Sequence, residues 1–234
     1  MKKIILTLLI LSVASLAKLP IVVSIIPEKT FAKAIGGDLV DISVMVQPGS
    51  SPHTYEPKPR QMKKILFAKL YFSIGVEFEK VWLPKFRDLN NKLVVVDVSA
   101  GIKRRPMQEK HAAKSKSLDP HIWTTPSNVK VIAKNMLHAM IKYDPKHKKE
   151  YLANYKNFIK KINRTHHQIK KLLKPLRGSV FMVFHPAWGY FARRYGLKQI
   201  PIQIAGKSPK PRDLIALIKT AKELKVKAVF AQPE

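Results

Sequence analysis

The chain has 234 residues, 44 of them Lys or Arg and 15 Asp or Glu, for a formal charge of +29 with no cysteine at all. At 46% hydrophobic residues it can bury a core, which excludes a compositionally disordered protein. Without cysteine there are no disulfides, thiolate zinc sites, iron–sulfur clusters or cysteine nucleophiles, so any metal chemistry falls to histidine and carboxylate.

The chain opens with Lys2 and Lys3, an apolar run from Ile4 to Val13, and small residues in Ala14-Ser15-Leu16-Ala17. This is the three-part pattern of a cleavable secretory signal, with cleavage expected after Ala17. The run is too short to span a bilayer, and no later stretch approaches the roughly 20 apolar residues that a membrane helix needs. A periplasmic, signal-directed protein of 217 residues and charge +27 is therefore expected. No cysteine follows the apolar run, so a bacterial lipid anchor is not expected.

From Leu19 to Val98, β-rich runs alternate with helical patterns. The expected strands are Pro20 to Ile25, Val40 to Val46, Leu70 to Ser73 and Leu93 to Val98, and the expected helices Lys29 to Ile35, Pro59 to Ala68 and Phe78 to Phe86. That alternation predicts a lobe with a parallel sheet. Lys103 to Ser117 is basic, lacks apolar periodicity and reads as a solvated loop. Pro126 opens a helix to about Tyr143. A longer one, Lys146 to Lys174, carries an apolar stripe through Tyr151, Tyr155, Phe158, Ile162 and Ile169 at spacings of three, four and seven, and is stiff enough to tie two lobes together. A second βα region follows, with strands Val180 to Phe184, Gln199 to Ile204 and Lys227 to Phe230 and helices near Ala187 to Tyr195 and Pro211 to Leu224. The fold class expected is α/β, with two βα lobes joined by a long backbone helix. The divisions are a signal peptide at 1–17, an N-terminal lobe at 18–125, a helical connection at 126–178 and a partial C-terminal lobe at 179–234. A second lobe of this size is marginal for a self-sufficient core, so a C-terminal truncation is expected.

Three of the eight histidines share a setting beside proline: Ser51-Pro52-His53, Asp119-Pro120-His121 and Phe184-His185-Pro186. Rigid loops at strand ends are where open α/β sheets present ligand-binding groups. A histidine beside proline is also an ordinary turn residue. Three imidazoles without thiolates suit Zn²⁺ through neutral ring nitrogens, provided that the fold brings them together.

In this order around a long helix, Ser51-Pro52-His53-Thr54-Tyr55-Glu56-Pro57, Asp119-Pro120-His121-Ile122-Trp123 and Phe184-His185-Pro186-Ala187-Trp188-Gly189-Tyr190-Phe191 resemble the zinc-binding solute receptors of bacterial ABC uptake systems. Ile25-Ile26-Pro27 and Ile204-Ala205-Gly206-Lys207-Ser208-Pro209 extend the resemblance over essentially the whole mature chain. It implies a metal held in the cleft between two lobes and delivered to a membrane permease. A monomer that performs no covalent chemistry is expected. By motif position, His53 and His121 would be ligands from the first lobe and His185 from the second, and such receptors usually add a late aspartate, expected beyond Glu234. Manganese receptors of the same superfamily tend to place a carboxylate at the third position, so His185 favours zinc over manganese or iron. Asp119 or Glu56 is a candidate to orient an imidazole through its other N–H. The loop between the first two ligands, His- and acid-rich in many zinc receptors, holds only His111 here.

Other signals carry less. Gly206-Lys207-Ser208 lacks the first glycine of a phosphate loop, having Pro201 in that place, and Pro209 follows it. Neither a His-Glu-x-x-His helix nor a Gly-x-Ser-x-Gly elbow is present. His138, His147, His166 and His167 read as ordinary helix residues. From Lys142 to Lys174 there are eleven basic and two acidic residues, the signature of a rival reading as a secreted polyanion-binding protein. The aromatics, however, lie on the apolar side of that helix, and export removes the chain from cytosolic nucleic acid.

Overall fold

The computed structural model describes residues 17–52, 54–107, 118–203, 208–226 and 228–231. The signal segment, His53, most of the basic loop with His111, and Ile204 to Lys207 lie outside the described residues.

Strands β1 (Leu19–Val23), β2 (Val40–Val44), β3 (Leu70–Ser73) and β4 (Val94–Asp97) form one sheet in the order β2-β1-β3-β4, every pair parallel. The crossovers carry α1 (Ile26–Gly36), α2 (Pro59–Phe67) and α3 (Glu77–Leu89). A parallel sheet reads as continuous apolar runs because both of its faces are covered, and β3, Leu-Tyr-Phe-Ser, is buried at every position. The second sheet, ordered β6-β5-β7 and also parallel, comprises β5 (Val180–Val183), β6 (Lys198–Pro201) and β7 (Val229–Phe230). Its crossovers hold α6 (Gly189–Tyr195) and α7 (Pro211–Glu223).

Between the sheets run α4 (Pro126–Tyr143) and α5 (Lys148–Leu173). Pro126 suits the first turn of α4, where its missing N–H costs nothing, and Asp144-Pro145 stops the helix because a residue before proline leaves the α region. A short 3-10 turn, Pro145–His147, then leads into α5, which starts two residues after the expected Lys146. In that turn the buried Asp144 carboxylate accepts from His147 Nδ1 at 2.7 Å and from Tyr151 Oη at 2.6 Å. His147 is thus committed to a helix start. At 26 residues, α5 is about 39 Å long. Its first half packs on the first region, with Asn154 Nδ2 donating to the Ile35 carbonyl at 3.0 Å and Phe158 against Phe31. Further along, His166 Nδ1 meets Tyr195 Oη of α6 at 3.2 Å.

All strands but β3 and β7 are shorter at their C-terminal ends than the expected runs, yet pairing continues past several of them. Met45 and Val46 donate to the carbonyls of Val23 and Ser24, Phe184 to that of Phe230, and Gln203 to that of Phe184. These tails bend away from regular geometry while keeping ladder bonds. The strand expected from Lys227 begins at Val229.

Among the described residues no helix is long and apolar enough to cross a membrane.

Candidate metal centre

His121 follows Asp119-Pro120 and opens a short 3-10 turn at Ile122–Thr124. The Asp119 carboxylate, 3% exposed, accepts from the His121 backbone N–H at 2.9 Å and from its ring Nδ1 at 2.7 Å. A carboxylate only accepts, so the ring proton sits on Nδ1 and the Nε2 lone pair points outward. Trp123 packs edge-on against this ring, with centroids 5.3 Å apart.

His185 lies just past β5, in the segment held by the continuing ladder. Trp188 N–H donates to Gln199 Oε1 at 2.7 Å and Ala187 N–H to the His185 carbonyl at 2.8 Å, closing the turn that aims the imidazole. Gln203, carried beside it by the extension of β6, sets Oε1 2.8 Å from His185 Nδ1. With the Gln203 amide in this orientation, the ring bears its proton on Nδ1 as well.

The two imidazoles meet Nε2 to Nε2 at 3.2 Å, with the rings nearly perpendicular at 75°. Two outward lone pairs at that separation repel unless a cation lies between them. A zinc ion bonded to both at 2.0–2.1 Å with a tetrahedral angle would hold them about 3.3 Å apart. The fold thus brings two of the three expected imidazoles together across a sequence separation of 64 residues. No cluster of three or more His, Asp or Glu side chains able to hold a metal occurs among the described residues. Among the described neighbours of position 53, Thr54 N–H bonds to the Ser51 carbonyl, and Tyr55 donates to Gln61 Oε1 at 2.7 Å while its ring lies against Phe78.

Of the two carboxylates considered as orienting groups, Asp119 performs that task and Glu56 is exposed on its loop. Gln203 was not anticipated; the signal that could have found it is its place at the end of the strand beside that of His185. Trp188 lies against Phe191, 5.7 Å away, and supports the turn through its backbone. His166 sits between Tyr195 and Arg194, and burial, then the charges of Arg194 and its neighbours, hold its pKa below the usual histidine value.

A second polar cluster lies at the C-terminal ends of β1 and β3. Ser24 Oγ donates to Glu79 Oε1 at 2.5 Å and lies 2.7 Å from Tyr71 Oη, while Glu28 Oε2 accepts the N–H groups of Ser24 and Ile25. Burial, then the charge of Glu79, pushes the Glu28 carboxyl well above the usual range, and burial raises Glu79 as well. Glu79 also accepts from the N–H groups of Ile74 and Gly75. Gly75 has φ +82°, and any Cβ there would collide with the guanidinium of Arg104, which donates to the Ile74 carbonyl.

Residues 21–234 match the family model described as ZnuA, zinc-uptake complex component A, periplasmic. The chain belongs to the ZnuA family. Within it, the chain is 31% identical over 227 residues to the high-affinity zinc uptake system protein ZnuA of Bacillus subtilis, covering 91% of this chain and 70% of that protein. It is 28% identical to the iron-binding protein YfeA of Yersinia pestis, covering 86% of this chain but 65% of YfeA. A crystal structure of ZnuA superposes with a TM-score of 0.85 at 39% identity, over 92% of this chain and 82% of that one. The ZnuA family comprises metal-binding receptors of uptake systems rather than enzymes, and the two parallel sheets joined through a long helix follow its architecture.

Proposed function

We propose that this protein captures one Zn²⁺ between the two sheets and delivers it to the membrane permease of an ABC uptake system. Residues 18–125 and 179–234 act as two lobes linked by 126–178, after removal of a signal peptide at 1–17 in the periplasm. His53, His121 and His185 are the ligands, the last two bonding through Nε2. One observation carries the reading: two imidazoles with protons fixed on Nδ1 direct their Nε2 atoms at one another 3.2 Å apart, a donor pair arranged for a cation.

A nitrogen-rich set favours zinc over manganese or iron, since imidazole suits the borderline ion and carboxylate the harder ones. The iron-binding relative makes iron the competitor to test. Competition against a chromophoric chelator, with zinc, iron(II) and manganese offered to the mature protein, ranks the metals. One zinc per chain, lost in His121→Ala and His185→Ala and weakened in His53→Ala, is the expected result. Unchanged zinc binding in all three variants would refute the site, and salt-sensitive binding to DNA or heparin that ignores chelators would favour the polyanion reading instead.

A further inference from the structure

Tyr190 belongs to α6, the crossover between β5 and β6 of the second sheet, yet its ring is buried in the hydrophobic core of the first region and is 7% exposed. Its hydroxyl accepts the Arg105 N–H at 3.0 Å and lies 3.2 Å from the Asp119 carbonyl oxygen. An amide N–H only donates and a carbonyl only accepts, so the one hydroxyl proton goes to Asp119 and both roles of the phenol are filled. Burial keeps the phenol protonated by raising its pKa. Arg105 and Asp119 are themselves paired, Asp119 N–H to the Arg105 carbonyl at 2.7 Å beside a Pro106–Leu118 bridge. They form the neck of the basic loop. One phenol therefore grips both sides of that neck.

Its position relative to the imidazoles is the second observation. Asp119, whose backbone the hydroxyl holds, supplies the carboxylate that orients His121; Tyr190 itself is five residues beyond His185 on the same loop-and-helix segment. We propose that Tyr190 is a positioning residue, a hydrogen-bonded latch across the two regions that sets the separation of His121 and His185 and slows release of the bound metal. This rests on the metal-site reading above. Without the hydroxyl, Arg105 N–H and Asp119 C=O lose a buried partner, and the two ring carriers are joined there by apolar contact alone. Because affinity differences among variants of one site reside mostly in the dissociation rate, the latch acts on how long the ion stays. Coupling is reciprocal, so bound metal must in turn tighten the latch.

The test is Tyr190→Phe in the full mature chain, which keeps the ring in the core. Zinc release into excess chelator, followed by stopped flow, is expected to be about ten-fold faster, within the 10–100-fold range for groups that orient metal ligands. The association rate should hold within about three-fold. A purely structural role would lower the melting temperature without changing release, so release at the wild-type rate overturns the proposal. A second measurement needs no variant: amide exchange at Arg105 in the wild type should be slower with zinc than without, and equal exchange also overturns the latch. His121→Ala and His185→Ala run alongside separate the failures. If both retain wild-type zinc binding, the site reading fails; if both lose it while Tyr190→Phe matches wild type, the latch alone fails.

Discussion

The first sheet buries Leu70, Tyr71, Phe72 and Ile21 almost completely, whereas in the second sheet Val229 and Phe230 of β7 stand 62% and 53% exposed and Ile215 of α7 is 70% exposed. The two imidazoles inherit this difference. His121 stands over a dense core and is oriented by a buried, charged carboxylate. His185 stands on a sparser support and is oriented by a neutral amide. What compensates is borrowed order: ladder bonds that outlast the strands, the Gln199 clasp on Trp188, and Tyr190 seated in the core of the other region. A side chain on thin ground can be placed well if its neighbours are anchored elsewhere.

That contrast can be broken most strongly in the cores. Phe72→Ala should cost about 3–5 kcal/mol in denaturant unfolding, the usual penalty for emptying a packed aromatic site, while Phe230→Ala should stay within about 0.5 kcal/mol, as at other exposed positions. Next in size, His121→Ala and His185→Ala should each weaken zinc more than about 100-fold in chelator competition, beyond the range for orienting groups. Asp119→Asn keeps the shape and removes the charge, and should lie inside that range, about 10–100-fold. Gln203→Glu sharpens the comparison by giving His185 the kind of partner that His121 has; a more basic ring should tighten zinc by about three-fold, at the edge of what competition assays resolve.

The smallest effect concerns Glu28. Its folded-state pKa is raised by burial and by the charge of Glu79. The stability it contributes is therefore fully present below its unfolded value near 4.5 and is lost as pH rises through the folded value. Wild type should lose melting temperature between pH 5 and 8, and Glu28→Gln should flatten that slope by about a few degrees. Thermal melts at three pH values check this; an unchanged slope would assign the dependence to Glu79.

Most of the architecture is legible in local pattern. Pro126 and Asp144-Pro145 fix both ends of α4, the apolar spacing marks α5, and β3 coincides with its four-residue apolar run. Strand ends are less legible, since residues such as Val46 and Phe184 keep ladder bonds after leaving strand geometry. His121 and His185 stand out through their proline contexts, and Asp119 through its place beside His121. Gln203, Tyr190 and the Ser24–Glu79 pair were not legible, because each acts across a separation of 18 residues or more through a partner that only the fold supplies. His147 illustrates the converse: it reads as a plain helix residue and is in fact buried in a cap with Asp144 and Tyr151.

Helix α5 contains no glycine or proline to absorb a bend, and it touches α1 near one end and α6 toward the other. It therefore behaves as a lever. A tilt of about two degrees at its first turn swings the far end by about 1.4 Å over its 39 Å length, a sizeable fraction of the gap between the imidazole nitrogens. The two imidazoles are thus parted by a motion far smaller than the wide jaw-like opening that a pliable joint would permit.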